Sequence, residues 1–282
     1  MKLTNTQIKN IIKSQFNEIL IKITDKSEGY DHIVKIITTD NNKYVLKSPK
    51  RENLLIKNQV FASKSWLKAG VPVPRILYHS EEVIIESFVE GTQLDKLKIT
   101  EKGKEKIYFQ LGKIMKKMHS VKTKGYGPFE GGKGGRYKTP KEYEKWIEKK
   151  LSESLKLIKD KKLLSLKEQK ILKKYLRENT KFPSRIKFSL CHSDLCEEHI
   201  YIKDGKINSI IDLADIKSDD PMSDFRRISK FNDRYLKQVI KGYGKVNKNR
   251  IKFHRTLLIL YQLPKIYRLK KYKDFNLRKE LK

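Results

Sequence analysis

The sequence predicts an α+β chain: an antiparallel sheet plus helix in its first third, and a larger, mainly helical part after it. Three observations predict this. Between Ile19 and Lys47, short β-branched runs alternate with turn residues. From Thr100 onward, apolar residues recur mostly at helical spacing. Asp204-Gly205 separates two apolar runs, as a type I′ hairpin turn does, because both of its central residues need positive φ. A chain of 282 residues can hold one large domain or two lobes with a core each. The boundary is expected between Glu90 and Leu94, dividing residues 1–92 from residues 93–282.

In chain order, Thr4 to Leu20 reads as an amphipathic helix with Ile8, Ile11, Ile12, Phe16 and Ile19 on one face and a Thr4/Gln7 capping box. Three strands follow at Ile19–Thr24, His32–Thr39 and Lys43–Lys47, with a turn at Asp40-Asn41-Asn42 and a loop, Asp25 to Tyr30, between the first two. Glu52 to Lys68 is a helix with Leu55, Val60, Phe61 and Leu67 inward. Prolines hold Val71 to Tyr78 extended, and Val83 to Gly91 reads as a buried strand.

Thr100 to His119 carries Ile107, Leu111, Ile114, Met115 and Met118 on one face, which is the spacing of core packing. The glycines of Gly125–Phe129 and Gly131–Gly135 read as a long irregular loop. No strand precedes them and no Lys-Ser/Thr follows, which argues against a P-loop. Thr139-Pro140 with Glu142, and Ser165 with Glu168, open two more helices. Asp220-Pro221 is a cap followed by an N1 proline. The last helices are expected at Asp233–Lys241, closed by Gly242, and at Lys248–Leu263 before Pro264.

Composition bounds the function. No apolar region follows Met1, and Thr256 to Leu263 is too short to span a bilayer, so a soluble, cytoplasmic protein with no membrane partner is expected. Cys191 and Cys196 give no disulfide framework and no four-ligand zinc pattern; they read as small apolar fillers. The net charge of +32 comes from lysines spread over every helix and not gathered on one face, which argues against a nucleic-acid partner. A cationic substrate would need a local acidic patch against that charge.

The stretch Leu190-Cys-His-Ser-Asp-Leu-Cys-Glu-Glu-His-Ile200 reads as a strand and a polar loop, and the Asp204-Gly205 hairpin carries the chain out and back to Asp212. Asp194, His199 and Asp212 therefore gather at one end of a small sheet. Such a group is costly to desolvate unless it shares a cation or a substrate proton.

His192-x-Asp194 followed by His199 resembles a kinase catalytic loop, with a base and, five positions on, a metal ligand. The run HSDLCEEHIYI, then IIDLADIKSDDPMSDF, resembles the aminoglycoside phosphotransferase and choline kinase-like family. Ser193 stands for that family's Gly, and His199 for its Asn. The resemblance implies a two-lobed protein-kinase-like fold and Mg²⁺-dependent transfer of the γ-phosphate of ATP or GTP to a small-molecule hydroxyl. The acceptor it favours is a cationic, aminoglycoside-type antibiotic, which would make the chain a resistance enzyme.

It further implies that Lys47 and Ser27 hold phosphates, that the backbone from Glu86 to Phe88 meets the purine, and that His199 and Asp212 bind Mg²⁺. Asp194 would accept or orient the hydroxyl proton, with His192 bracing the loop. Glu197, Glu198, Asp219 and Asp224 would receive the cationic substrate. The family's lysine-orienting helix Glu falls near Gln59 by spacing. Two other readings stay open: a metabolic kinase acting on choline, fructosamine or a sugar, and a catalytically silent polyanion binder on a kinase scaffold.

Overall fold

The central strands of the first sheet send successive side chains to two opposite faces. The computed structural model describes residues 3–26, 32–50, 54–182, 186–231, 233–269 and 276–281. Its first elements are α1 (Asn5–Phe16), β1 (Leu20–Asp25), β2 (His32–Thr39), β3 (Lys43–Pro49), α2 (Leu54–Lys68), β4 (Ile76–His79) and β5 (Ile84–Ser87). The strands form one antiparallel sheet in the order β1-β2-β3-β5-β4. Tyr44 and Leu46 of β3 pack with Ile37, Val83 and Ile85 under Ile8 and Ile12 of α1. Val45 and Lys47 project from the opposite face, beside Val34 and Ile36, into a cleft.

The Thr4 capping box forms as predicted, with Gln7 Oε1 accepting from Thr4 N at 2.8 Å and Thr4 Oγ1 from Gln7 N at 3.2 Å. The helix stops earlier than predicted. Asn17 takes the left-handed conformation (φ 54°) that ends it. Glu18 then turns inward and accepts from Thr39 Oγ1 at 2.5 Å, Asn42 Nδ2 at 2.5 Å and Tyr44 OH at 2.9 Å. These bonds tie the helix end to the β2–β3 turn and leave Ile19, expected on the apolar face, exposed.

Past β5 the chain enters a second set of elements: β6 (Thr92–Gln93), α3 (Glu101–Met118), β7 (Tyr126–Phe129), β8 (Gly135–Tyr137), α4 (Pro140–Asp160), α5 (Leu166–Thr180) and β9 (Ser189–Cys191). Then come β10 (Ile200–Lys203), β11 (Lys206–Ile210), β12 (Lys217–Asp219), α6 (Phe225–Phe231), α7 (Asp233–Tyr243), α8 (Lys248–Arg268) and α9 (Leu277–Glu280). Two small sheets, β11-β10-β6 and β8-β7-β12-β9, carry the loops of interest. The β10–β11 turn has Asp204 at φ 50° and Gly205 at φ 70°, the predicted type I′ pairing. Trp66 and Ala62 of α2 share one core with Leu111, Met115 and Met118 of α3, and Trp66 Nε1 donates to Met118 O at 3.3 Å. Helix α2 is thus the packed link between the two parts.

Three predicted elements are corrected. The glycine-rich segment after Gly125 is a β-hairpin, β7–β8, because β7 finds a second partner in β12. Gly242 lies inside α7, where its bare Cα meets α3; the positive φ (99°) belongs to Gly244. Helix α8 continues through Pro264 to Arg268. Proline withholds the N–H that Leu260 O would accept, and Ser154 Oγ, fully buried on α4, donates to that carbonyl at 2.6 Å instead. No helix among the described residues is long and apolar enough to cross a membrane.

Candidate active site

The loop after β9 and the segment after β11 meet because His192 joins them. Its imidazole is fully buried, Nε2 donating to Ile211 O at 2.9 Å and Nδ1 accepting from Asp194 N at 3.3 Å. Burial lowers its pKa, which suits this neutral tautomer. Ser193 (φ 70°) and Asp212 (φ 65°) both take the left-handed conformation, a strain that aims the neighbouring side chains. The 3₁₀ turn Glu197–His199 then swings His199 back over the loop.

His199 Nδ1 lies 2.8 Å from Asp194 O, and its Nε2 lies 3.5 Å from Asp212 Oδ2. With Nδ1–H donating to that carbonyl, Nε2 faces the carboxylate and is the nitrogen left to bind a cation once its proton is lost. An imidazole oriented this way, next to an ionised carboxylate, fits a divalent cation. In its absence burial pulls the imidazole pKa down, but the Cys196 sulfur, the Asp212 charge and the Asp194 carbonyl outweigh it and push it up to about 9. Burial opposes ionisation of Asp212, yet Lys47, His199, His192 and His32 hold its carboxyl below the ordinary range.

Across the cleft, the buried Lys47 ammonium lies 2.8 Å from Glu86 Oε2 and 3.0 Å from Oε1. The carboxylate that orients Lys47 therefore comes from β5 and not from helix α2. Gln59, at the position expected for it, is fully buried and places Nε2 3.0 Å from His32 Nε2. Lys47, Glu86, Phe88, Asp194, Glu198, His199 and Asp212 all line one cleft of about 660 Å³. Ser27 lies outside the described residues.

The acids expected to receive a cationic substrate divide. Glu198 is exposed at the cleft, near Asp215, an exposed acid that sequence reading did not assign to the substrate. Asp219 is buried and accepts from Tyr143 OH at 3.0 Å. Asp224, equally buried, accepts from His192 N at 2.9 Å and Ser193 N at 2.7 Å, and lies 3.0 Å from His119 Nε2. Burial works against that carboxylate, but the His119 contact and the backbone donors hold its pKa at about 2. Glu197 accepts from Tyr108 OH and pairs with Lys104 Nζ at 3.1 Å. The expectation of a substrate-facing acid is therefore corrected at Asp219 and Asp224, which are buried and paired, while Glu197 is half-buried and engaged with Tyr108 and Lys104. Asp219 ends β12, paired with β7 and β9, and Asp224 sits at the start of α6 against α8, where only a paired acid is tolerated.

Two basic residues escaped sequence reading. Arg227 Nη2 donates to Asp194 Oδ1, and Arg226 Nη2 donates to Ser193 O. Two arginines among 65 lysines and arginines carry no local signal.

This arrangement puts two potential cation ligands, an acidic group able to meet a hydroxyl, and a paired lysine around one cavity. The fold is shared with solved structures. One is a thermostable mutant of the aminoglycoside phosphotransferase APH(4)-Ia in ternary complex with AMP-PNP and hygromycin B, 16% identical, TM-score 0.68, covering 98% of this chain and 95% of that one. Another is the gentamicin complex of APH(2")-IIa, 17% identical, TM-score 0.64, covering 100% and 94%. A third is a putative fructosamine-3-kinase from Thermobifida fusca, 14% identical, TM-score 0.66, covering 92% and 93%. At such identities the likeness carries the two-lobed kinase-like fold alone. No curated protein matches the chain. The sequence model of the phosphotransferase enzyme family matches residues 22–254, which takes in Lys47, the loop of Asp194 and His199, and Asp212. On that match the chain is a small-molecule kinase and belongs to the phosphotransferase enzyme family.

Proposed function

We propose that this kinase moves the γ-phosphate of ATP or GTP to a hydroxyl of a small molecule, with Mg²⁺ as the assisting cation. The observation that carries the reading is the convergence of Lys47–Glu86 and of Asp194, His199 and Asp212 on one cleft. Phosphoryl transfer needs positioning and charge neutralisation more than covalent chemistry. Lys47, held by Glu86, would take the α- and β-phosphates, and the backbone from Glu86 to Phe88 would meet the purine. His199 Nε2 and Asp212 would hold the cation, which neutralises phosphate charge when bound. Asp194, its carboxylate steadied by Arg227, would accept the acceptor's hydroxyl proton or orient it. His192 keeps both loops in register.

An aminoglycoside acceptor, and with it a resistance role, is supported by the ligands of the similar solved structures and by the exposed acids Glu198 and Asp215. The burial of Asp219 and Asp224 weighs against it. The test is nucleotide consumption against a panel of aminoglycosides, macrolides, amino alcohols, sugars and hydroxy acids, repeated with Asp194→Ala. Turnover should fall by at least about a thousandfold, the order seen when a positioning group is lost at a preorganised site. Full activity in that variant would place the chemistry elsewhere. No nucleotide turnover with any acceptor, together with steeply salt-dependent RNA binding, would favour a silent polyanion binder.

A further inference from the structure

An acceptor hydroxyl that reaches Asp194 meets a carboxylate already held by Arg227. The guanidinium donates through Nη2 to Asp194 Oδ1 and its side chain is 31% exposed, although its Nε is buried without a hydrogen-bond partner among the described residues. Arg226, the preceding residue of α6, is pinned over the same loop through Ser193 O. Lys217 of β12 belongs to this corner too: burial first, then the Arg226 charge, lower its pKa, against the pull of Asp219, Asp215 and Asp224. Of the acids near this corner, Asp219 is committed to Tyr143 and Asp224 to His119, which leaves Glu198 and Asp215, both exposed at the cleft mouth.

We propose that Arg227 is the recognition group of the acceptor site, and that the acceptor is a small hydroxyl compound bearing a carboxylate or phosphate close to the hydroxyl that is phosphorylated. The inference rests on the kinase reading above and narrows it to a substrate class. A guanidinium presents a planar fork of donors that suits carboxylate and phosphate oxygens. One arm can hold Asp194 while the remaining N–H groups meet the acceptor's anion. A polycation would instead set an ammonium against Arg227, and the net charge of +32 would repel it during approach. In the reaction the acceptor oxygen bonds to the γ-phosphorus and the bond from that phosphorus to the β–γ bridging oxygen breaks. The nucleoside diphosphate leaves, and the hydroxyl proton passes by way of Asp194 to solvent.

The test uses the full chain with Mg²⁺ and nucleotide, and four acceptor sets matched in carbon skeleton: hydroxy carboxylates, polyol phosphates, neutral sugars and aminoglycosides. Nucleotide binding is measured separately by calorimetry. Turnover should concentrate in one of the two anionic sets, and which of the two does so identifies the anion. For the best anionic acceptor, Arg227→Gln should raise KM at least thirtyfold while kcat falls much less, and Arg227→Lys should lie between. Melting curves confirm that both variants are folded. Preferred turnover of neutral or cationic acceptors, or an Arg227→Gln variant that loses kcat at unchanged KM, overturns the inference. So does nucleotide binding with no turnover in either anionic set, which leaves the kinase reading standing. Failure to bind nucleotide at all would instead sink that reading.

Discussion

At the scale of single residues, His199 couples the candidate cation site to pH. Its imidazole pKa stands at about 9 against an ordinary 6.5. A group whose pKa is raised by folding adds stability that is complete below its unfolded value and is lost as pH rises through the folded one. The melting temperature of the ligand-free protein should therefore fall between about pH 6.5 and 9, and His199→Asn should remove that part of the slope. A cation that takes Nε2 must displace this proton. Mn²⁺ affinity, read by electron paramagnetic resonance, should accordingly tighten with pH over the same window in the parent protein and lose most of that dependence in His199→Asn. Equal slopes in the two proteins would mean that the imidazole does not face the cation.

At the scale of elements, the support for the catalytic loop depends on how closely α3 and α7 approach. Gly112 of α3 and Gly242 of α7 lie at their crossing. A Cβ on Gly112 would sit 2.1 Å from Val239 O, and one on Gly242 2.0 Å from Phe109 O. Helix α3 ends at His119, which contacts Asp224, and Asp224 in turn holds the amides of His192 and Ser193. In an open helix, Gly→Ala gains about 1 kcal/mol from propensity. Here the backbones must separate, so Gly112→Ala and Gly242→Ala should each destabilise the protein by about 2 kcal/mol or more. Urea midpoints will decide: a stabilised Gly242→Ala would show that the two backbones do not meet at this position. The Pro264 position carries the same lesson, since a buried Ser154 hydroxyl on another helix is what lets α8 pass through a proline.

At the scale of the molecule, the cleft is closed on one side by the first sheet and on the other by the loops after β9 and β11, and Lys47–Glu86 is the buried charge pair on its upper wall. Removing one partner strands a buried charge and costs about 3–5 kcal/mol, whereas replacing both by neutral groups can leave stability almost unchanged. The double variant Lys47→Met/Glu86→Gln should fold with a melting temperature near the parent's. Saturating Mg²⁺-nucleotide, at about 100 times Kd, should stabilise the parent by about 2.7 kcal/mol. In a chain of this size that corresponds to a shift of about 4–5 °C. The double variant should lose that shift, and a retained shift would take Lys47 out of the phosphate site.

Local chemistry in the sequence determined much of this protein. Alternation set the two faces of β3, the capping residues at Thr4, Thr139 and Ser165 set three helix starts, and Asp204-Gly205 set the hairpin that returns Asp212 to Asp194 and His199. These are interactions among neighbours in the chain, so pattern reveals them. Tertiary structure alone decided that Glu86 pairs with Lys47, that Asp219 and Asp224 turn inward, and that Arg227 reaches Asp194. The physical reason is desolvation: a charged side chain reads the same in sequence whether it faces water or a partner thirty residues away, and only packing fixes which partner remains when the water is gone.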